Sequence, residues 1–391
     1  MYGPIALYCK MSVMTFNAPV PEKQLQLEPT AAWPAARFLA TARGGYMAFR
    51  DCGERSGECW LVLHGGPGGA GHPGLLQPLQ LNKQRAILPD QRGAGESRPR
   101  ARLAGNHTEQ LVGDLELLRL QLGIERWAVM AGSWGTVVAL RYAHAHPTRV
   151  KRLVLRGAFA LTRAEIYGLL RPHAGRDCLV WQSPHWPKPG YGGLPWAFLR
   201  LKHLLQYWPP TAASRNVIRC WNLLEQRSAL RGLWRSLVHS AVQQQNGRGT
   251  VVGTAVLPAL PAYRAAWALL KRQQRVALAG LQNPLSTRAD KRGWQKFRIQ
   301  GHYLQHRGFV PAGGLNAAVR SLAVHGIASD WVHGRFDAVC PPSNSRRWPA
   351  QQAPDKSALA SRHWPLAGHL ASEPAIRLTL AQVVRNTHAA F

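Results

Sequence analysis

The chain has 391 residues, ordinary apolar content and a formal charge of +30, which leaves room for one large domain with insertions or for two domains. Such a basic balance first suggests a polyanion partner. The Lys and Arg are spread along the chain, however, and no nucleic-acid motif accompanies them, so nucleic acid is not the expected partner. The six cysteines form neither a C-x-x-C pair nor a zinc-spaced cluster, and no stretch is long and apolar enough to span a bilayer, so neither a metal centre nor a membrane span is expected.

Residues 1–39 carry Pro and Gln with little periodicity and read as an N-terminal arm. Lys10 and Asn17 interrupt its apolar run, so a signal peptide is not expected, Met11 and Met14 offer alternative starts, and the cytoplasm is the expected compartment. Tyr46–Asp51 alternates like a strand, and Cys59–Leu63 is a second strand, apolar throughout. A Cys52–Cys59 bridge across that hairpin is geometrically possible but not required. The second strand runs into His64-Gly65-Gly66-Pro67-Gly68-Gly69, where backbone N–H groups can approach a ligand with no side chain in the way. A plain flexible turn has the same composition.

Arg85–Pro89 is a short strand leading into Asp90-Gln91-Arg92-Gly93-Ala94-Gly95-Glu96-Ser97. In that loop Asp90 and Arg92 are expected to form a structural charge-assisted pair. Thr108 opens a helix with Leu111, Leu115, Leu118 and Leu122 on one stripe, a core face. Arg126–Met130 is a buried strand, Val137–His146 a helix closed by Pro147, and Val150–Arg156 one more strand. Between that strand and helix lies Ala131-Gly132-Ser133-Trp134-Gly135, a small-x-Ser-x-Gly turn with alanine where glycine is usual. So sharp a turn presents the serine hydroxyl above the sheet edge.

From about 160 to 325 the composition shifts to Trp, Pro, Leu and Arg with helical patches such as Ala213–Arg227, which reads as an inserted helical cap over 161–324. Strand and helix alternation resumes at Ala328–Gly334, with Asp337 at that strand's end. Arg362–Leu366 is a last strand, followed by His369 and a helix from about Glu373. The alternation implies a mostly parallel sheet built from 40–160 and 325–391, with ligands at the carboxyl ends of its strands.

Ser133, Asp337 and His369 therefore fall at strand ends in the order nucleophile, acid, histidine. A serine hydroxyl needs a histidine to take its proton, and the histidine needs a carboxylate to fix its tautomer. That order is the one found in α/β-hydrolases. The motifs Leu63–Gly69, Asp90–Ser97, Gly132–Gly135, His333–Asp337 and Gly368-His369 together resemble the proline iminopeptidase (prolyl aminopeptidase) family, serine peptidases of the α/β-hydrolase fold with a helical cap.

The resemblance covers roughly 45–160 and 325–375 well and the cap in patches. It implies Ser133, Asp337 and His369 as the catalytic triad and the N–H groups of Gly66 and Trp134 as the oxyanion hole. In the cap, Trp221–Glu225 is similar to the family's Trp-x-x-Trp-Glu motif, which implies Glu225 as a receptor for a substrate ammonium. A helix-surface glutamate paired with an arginine is the alternative. The family's second glutamate aligns with Gln300, Phe159 stands at a position matching the aromatic proline pocket, and Leu304 stands where an aromatic is usual.

The resemblance thus implies an aminopeptidase releasing N-terminal proline from short peptides, with no cofactor and a small peptide or ester as partner. Gln300 favours the alternative of an esterase or amidase with the same triad. A basic nucleic-acid binder with a vestigial triad is the third reading. Cys340, close after Asp337, is placed so that alkylation would crowd the site.

Overall fold

The computed structural model describes residues 33–42, 44–171, 183–187, 193–245, 251–252, 255–256, 260–352 and 359–386. Cys9, Cys178 and the expected arm up to residue 32 lie outside the described residues. From Pro34 onward the chain forms one compact unit.

The elements follow the expected alternation. β1 (Arg37–Thr41), β2 (Gly45–Gly53), β3 (Glu58–Leu63) and β4 (Gln84–Pro89) precede α1 (Thr108–Gln121), β5 (Trp127–Gly132), α2 (Trp134–Ala145) and β6 (Val150–Arg156). β1 falls partly inside the segment read as an arm. Next come α3 (Arg163–Leu170), α4 (Gly193–Leu204), α5 (Ala212–Gln245), a small hairpin of β7 (Val251–Val252) and β8 (Ala255–Val256), α6 (Leu260–Ala279) and α7 (Arg288–Gln305). The chain closes with α8 (Gly314–Val324), β9 (Ala328–Val332), α9 (Ser343–Gln352), β10 (Ala360–His363) and α10 (Pro374–Arg385).

One eight-stranded sheet has the order β1-β2-β4-β3-β5-β6-β9-β10. β2 is antiparallel to both neighbours, and from β4 to β10 every pair is parallel. This is the α/β-hydrolase fold. Every residue of β5 is buried, the mark of a central parallel strand covered on both faces, and this explains why its sequence is apolar without alternation. Leu111, Leu115 and Leu118 of α1 join the core as their spacing required. Cys52 and Cys59 are free, buried thiols. Among the described residues no helix is long and apolar enough to cross a membrane.

The segment between β6 and β9 supplies the helices above the strand ends. α3 begins with a complete capping box, in which the Thr162 hydroxyl accepts from the Glu165 N–H and the Glu165 carboxylate accepts from Thr162. α5 packs on α6 and α7 and crosses the loops after β9 and β10. Gly232 is the crossing point: a Cβ there would sit 2.8 Å from the Gly368 Cα and 3.0 Å from the Phe336 carbonyl oxygen, so no side chain fits. α8, although within the segment read as cap, packs on α2 and α9 and joins the helical layer of the core.

Candidate active site

Ser133 joins the end of β5 to the start of α2 with φ 55° and ψ −125°. A non-glycine residue there stores on the order of 1–3 kcal/mol of strain, held only because the surroundings over-determine it. Here they do. The Ser133 N–H donates to the Arg156 carbonyl at 2.8 Å, tying the turn to β6, and its own carbonyl accepts from the Thr136 N–H at 2.9 Å and the Thr136 hydroxyl at 2.7 Å. Ala131 is buried at 2% exposure, so the methyl in place of glycine is absorbed by the core.

The loop after β3 is locked to this turn by a polar chain. His64 Nδ1 donates to the Gly65 carbonyl at 2.8 Å, while its Nε2 accepts the Gln91 N–H at 3.1 Å, which settles the neutral tautomer. Burial lowers the His64 pKa, consistent with that neutral form. The Gln91 side chain donates to the His64 carbonyl at 3.0 Å and accepts the Trp134 indole N–H at 2.9 Å. Gly66 and the first residue of α2 are thereby held on one frame, and the helix N-terminus adds its partial positive charge at Trp134.

The expected Asp90–Arg92 pair is not the contact that forms. Asp90 accepts the Gly71 N–H at 2.7 Å and the Glu96 N–H at 2.9 Å, whereas Arg92 pairs with Asp114 of α1. Two backbone donors already satisfy Asp90, and the buried Asp114 needs the cation.

Asp337 and His369 meet as expected. His369 Nδ1 lies 2.7 Å from Asp337 Oδ2, and Oδ1 accepts the N–H groups of Val339 at 2.8 Å and Cys340 at 2.9 Å. His333 Nε2, 3.3 Å from Oδ2 and 3.1 Å from the Cys340 carbonyl, is the donor to both, because both partners can only accept, and the Ser345 hydroxyl can then donate to Nδ1. Burial alone would raise the Asp337 pKa. The His369 charge, followed by hydrogen bonds from His333 and His369, outweighs it and holds the carboxylate far below its ordinary range.

Three residues not singled out from the sequence frame His369. Arg156, at the end of β6, donates to the His369 carbonyl. Glu373, just before α10, accepts the N–H groups of Gly368 at 2.6 Å and Leu370 at 3.0 Å. Burial raises the Glu373 carboxyl to about 7. Gly157, with φ +56°, leaves room for the histidine: a Cβ there would lie 3.2 Å from His369 Nδ1 and 3.3 Å from Asp337 Oδ2. A strand-ending arginine and an acidic helix cap are the signals that could have drawn attention to Arg156 and Glu373.

A cavity of about 960 Å³ opens onto these groups and is lined by Ser133, Asp337, His369, Gly66, Phe159, Glu225 and Gln300. The Trp134 side chain is buried below, 4.7 Å between ring centroids from Tyr303. Leu304 is buried in the core cluster. Glu225 is on the cavity wall, and its partner is Lys296 rather than an arginine. Gln300 Nε2 donates to the other Glu225 oxygen at 2.9 Å, while Gln300 Oε1 has no hydrogen-bond partner among the described residues. Lys296 had no signal in the sequence beyond lying one turn before Gln300 on α7.

Cys340 also lines the cavity, but as a buried thiol. Burial pushes its pKa well above the ordinary range, and the charges of Asp337 and Glu165 push the same way, against a hydrogen bond from Ser133. A thiol held in this way is disfavoured as thiolate, the form that thiol reagents attack. No group of three His, Cys, Asp or Glu able to hold a metal ion occurs among the described residues.

Comparison with known proteins bears on this geometry. The alpha/beta hydrolase fold family matches residues 61–206. A proline iminopeptidase of Xylella fastidiosa (strain Temecula1) is 32% identical over 331 residues, covering 84% of this chain and 88% of the relative. A probable proline iminopeptidase of Streptomyces coelicolor is 40% identical over 195 residues, 47% of this chain and 58% of its own. A proline iminopeptidase of Arabidopsis thaliana is 29% identical over 334 residues, 85% of this chain and 74% of its own.

Proposed function

Because this chain belongs to the proline iminopeptidase family and is a hydrolase by fold and kinship, we propose that it releases N-terminal proline from short peptides through an acyl-enzyme on Ser133. The observation that carries the proposal is the strained serine at the β5–α2 turn sharing one cavity with the 2.7 Å Asp337–His369 pair.

With Nδ1–H given to Asp337, His369 Nε2 is the basic nitrogen and takes the Ser133 proton as the hydroxyl oxygen attacks the scissile carbonyl. The N–H groups of Gly66 and Trp134 stabilise the oxyanion that develops, a task worth about 3–4 kcal/mol per donor in acyl transfer. The C–N bond then breaks and the amine leaves with the proton from His369. A water, deprotonated by the same nitrogen, attacks the ester, and Ser133 leaves as the hydroxyl. Asp337 stays ionised throughout and stabilises the imidazolium. Phe159, buried against the cavity, is suited to an apolar acyl ring.

A second reading, an esterase or amidase using the same machinery, is favoured by one observation: Glu225 is already engaged by Lys296 and Gln300. Steady-state kinetics on prolyl-naphthylamide and on short acyl esters separates the two. The peptidase reading expects prolyl turnover. Ester cleavage with no detectable prolyl turnover would leave the esterase reading standing.

A further inference from the structure

The cavity wall carries three carboxylates, and only one has capacity for a ligand. Asp337 is taken up by His369, His333 and two backbone N–H groups. Glu165 accepts from the Ala160 and Thr162 N–H groups, the Thr162 hydroxyl and the Asn344 amide, and is buried at 5% exposure. That leaves Glu225, about 29% exposed at its side chain, as the group a substrate ammonium would seek.

Lys296 is already there. Its ammonium pairs with Glu225 Oε2 and also lies 4.9 Å from the Phe297 ring centroid. The other oxygen, Oε1, accepts from Gln300, and since a carboxylate only accepts, this contact orients the amide with Nε2 toward Glu225 and Oε1 away from it. Gln300 is 2% exposed and its Oε1 is a buried acceptor with no partner among the described residues, so it favours an N–H donor able to reach it. The subsite thus has one negative charge balanced by one positive charge, beside a buried amide acceptor that brings no charge of its own. Arg156 and Arg347 line the same cavity and add no attraction for a cation.

We infer that Lys296 is a specificity-determining residue: it occupies the ammonium position on Glu225, so that a free N-terminal amine must displace it while an acyl group with no α-ammonium binds unopposed. This rests on the reading of Ser133 as the nucleophile. Prolyl substrates are still cleaved, but their advantage over acyl amides and esters with a neutral acyl end is narrowed. The preference for free-amine substrates is set by the lysine and is not fixed by the fold.

The test compares prolyl-naphthylamide with its neutral isostere, cyclopentanecarbonyl-naphthylamide, in wild type, Lys296→Met and Lys296→Met/Glu225→Gln. Methionine keeps the stem and removes the charge. The expected result is a rise of about tenfold or more in the prolyl-to-isostere ratio of kcat/KM in Lys296→Met, carried by a lower KM for the prolyl substrate, with the neutral isostere changed less than about threefold. The gain should vanish in the double variant. If Lys296→Met does not fold, Lys296→Gln carries the same comparison. A ratio unchanged within about twofold, or a gain that survives Glu225→Gln, overturns the inference while leaving the serine-hydrolase reading intact. Loss of both substrates already in wild type, with no ester cleaved, overturns both.

Discussion

Glu373→Gln should remove a pH dependence of stability that the wild-type protein carries near neutrality. The carboxyl is 1% exposed and holds the backbone on either side of His369 through the N–H groups of Gly368 and Leu370. Burial raises it from 4.5 to about 7; the Asp337 charge adds to this, against the two hydrogen bonds and Arg156. Between those values the folded protein holds a proton that the unfolded chain has lost. Stability from this group is therefore greatest below the unfolded pKa, falls as pH rises, and levels off above the folded one.

A shift of that size amounts to roughly 3 kcal/mol in full, of which about 2.5 kcal/mol develops between about pH 5 and about pH 8. The glutamine is neutral at every pH and keeps one acceptor, so it loses the slope at the cost of about one hydrogen bond. Urea unfolding of both proteins across this range reads the difference. The wild-type advantage should shrink, or reverse, by about 2 kcal/mol toward the alkaline end. Parallel curves would show that Glu373 ionises like an exposed carboxylate and would refute the account of the loop that carries His369.

Gly157→Ala should lower kcat by about tenfold or more, with a stability loss of about 1 kcal/mol, because the left-handed backbone resists a side chain and the new methyl presses on His369 and Asp337. Steady-state kinetics beside urea unfolding checks it, and unchanged kcat would place the histidine elsewhere. Cys340 should resist iodoacetamide in the folded protein near neutral pH and react only on unfolding, as counted by mass spectrometry of tryptic peptides.

What the sequence revealed follows from how local each signal is. The core strands announced themselves because β5 and the Cys59–Leu63 part of β3 are buried on both faces and so are apolar throughout, while β6 carries the apolar run Leu153–Leu155 between basic residues. Ser133, Asp337 and His369 could be singled out because each lies in the segment that follows a strand, and a parallel sheet brings such ends to one edge. β1 was hidden because it is an edge strand paired only with β2, half exposed and without a clean alternation. The last strand lies earlier than Arg362–Leu366 suggests: it covers Ala360–His363 and stops before Trp364-Pro365, since proline has no N–H to extend the ladder.

α5 showed only its first half in the sequence. It packs on α6, α7 and the loops beside His369 from several sides, so no single apolar stripe runs its length. Partners across long separations left no trace. Arg92 finds Asp114 and not Asp90, and Lys296 finds Glu225 from the next cap helix but one. Gln300 could be seen as a lost carboxylate, yet a lysine one turn away balancing the remaining one requires knowing how α5 and α7 face each other.

Covalent capture of the nucleophile tests the central claim most directly. Wild type and Ser133→Ala are treated with a fluorophosphonate, digested, and the modified peptide is sequenced by mass spectrometry, with prolyl-naphthylamide turnover followed in parallel. The expected result is a single adduct on the Ser133 oxygen, absent from Ser133→Ala, with turnover of the variant down by at least about a thousandfold while it remains folded. An adduct on another residue, or a Ser133→Ala protein that still turns over substrate within about tenfold of wild type, would contradict it.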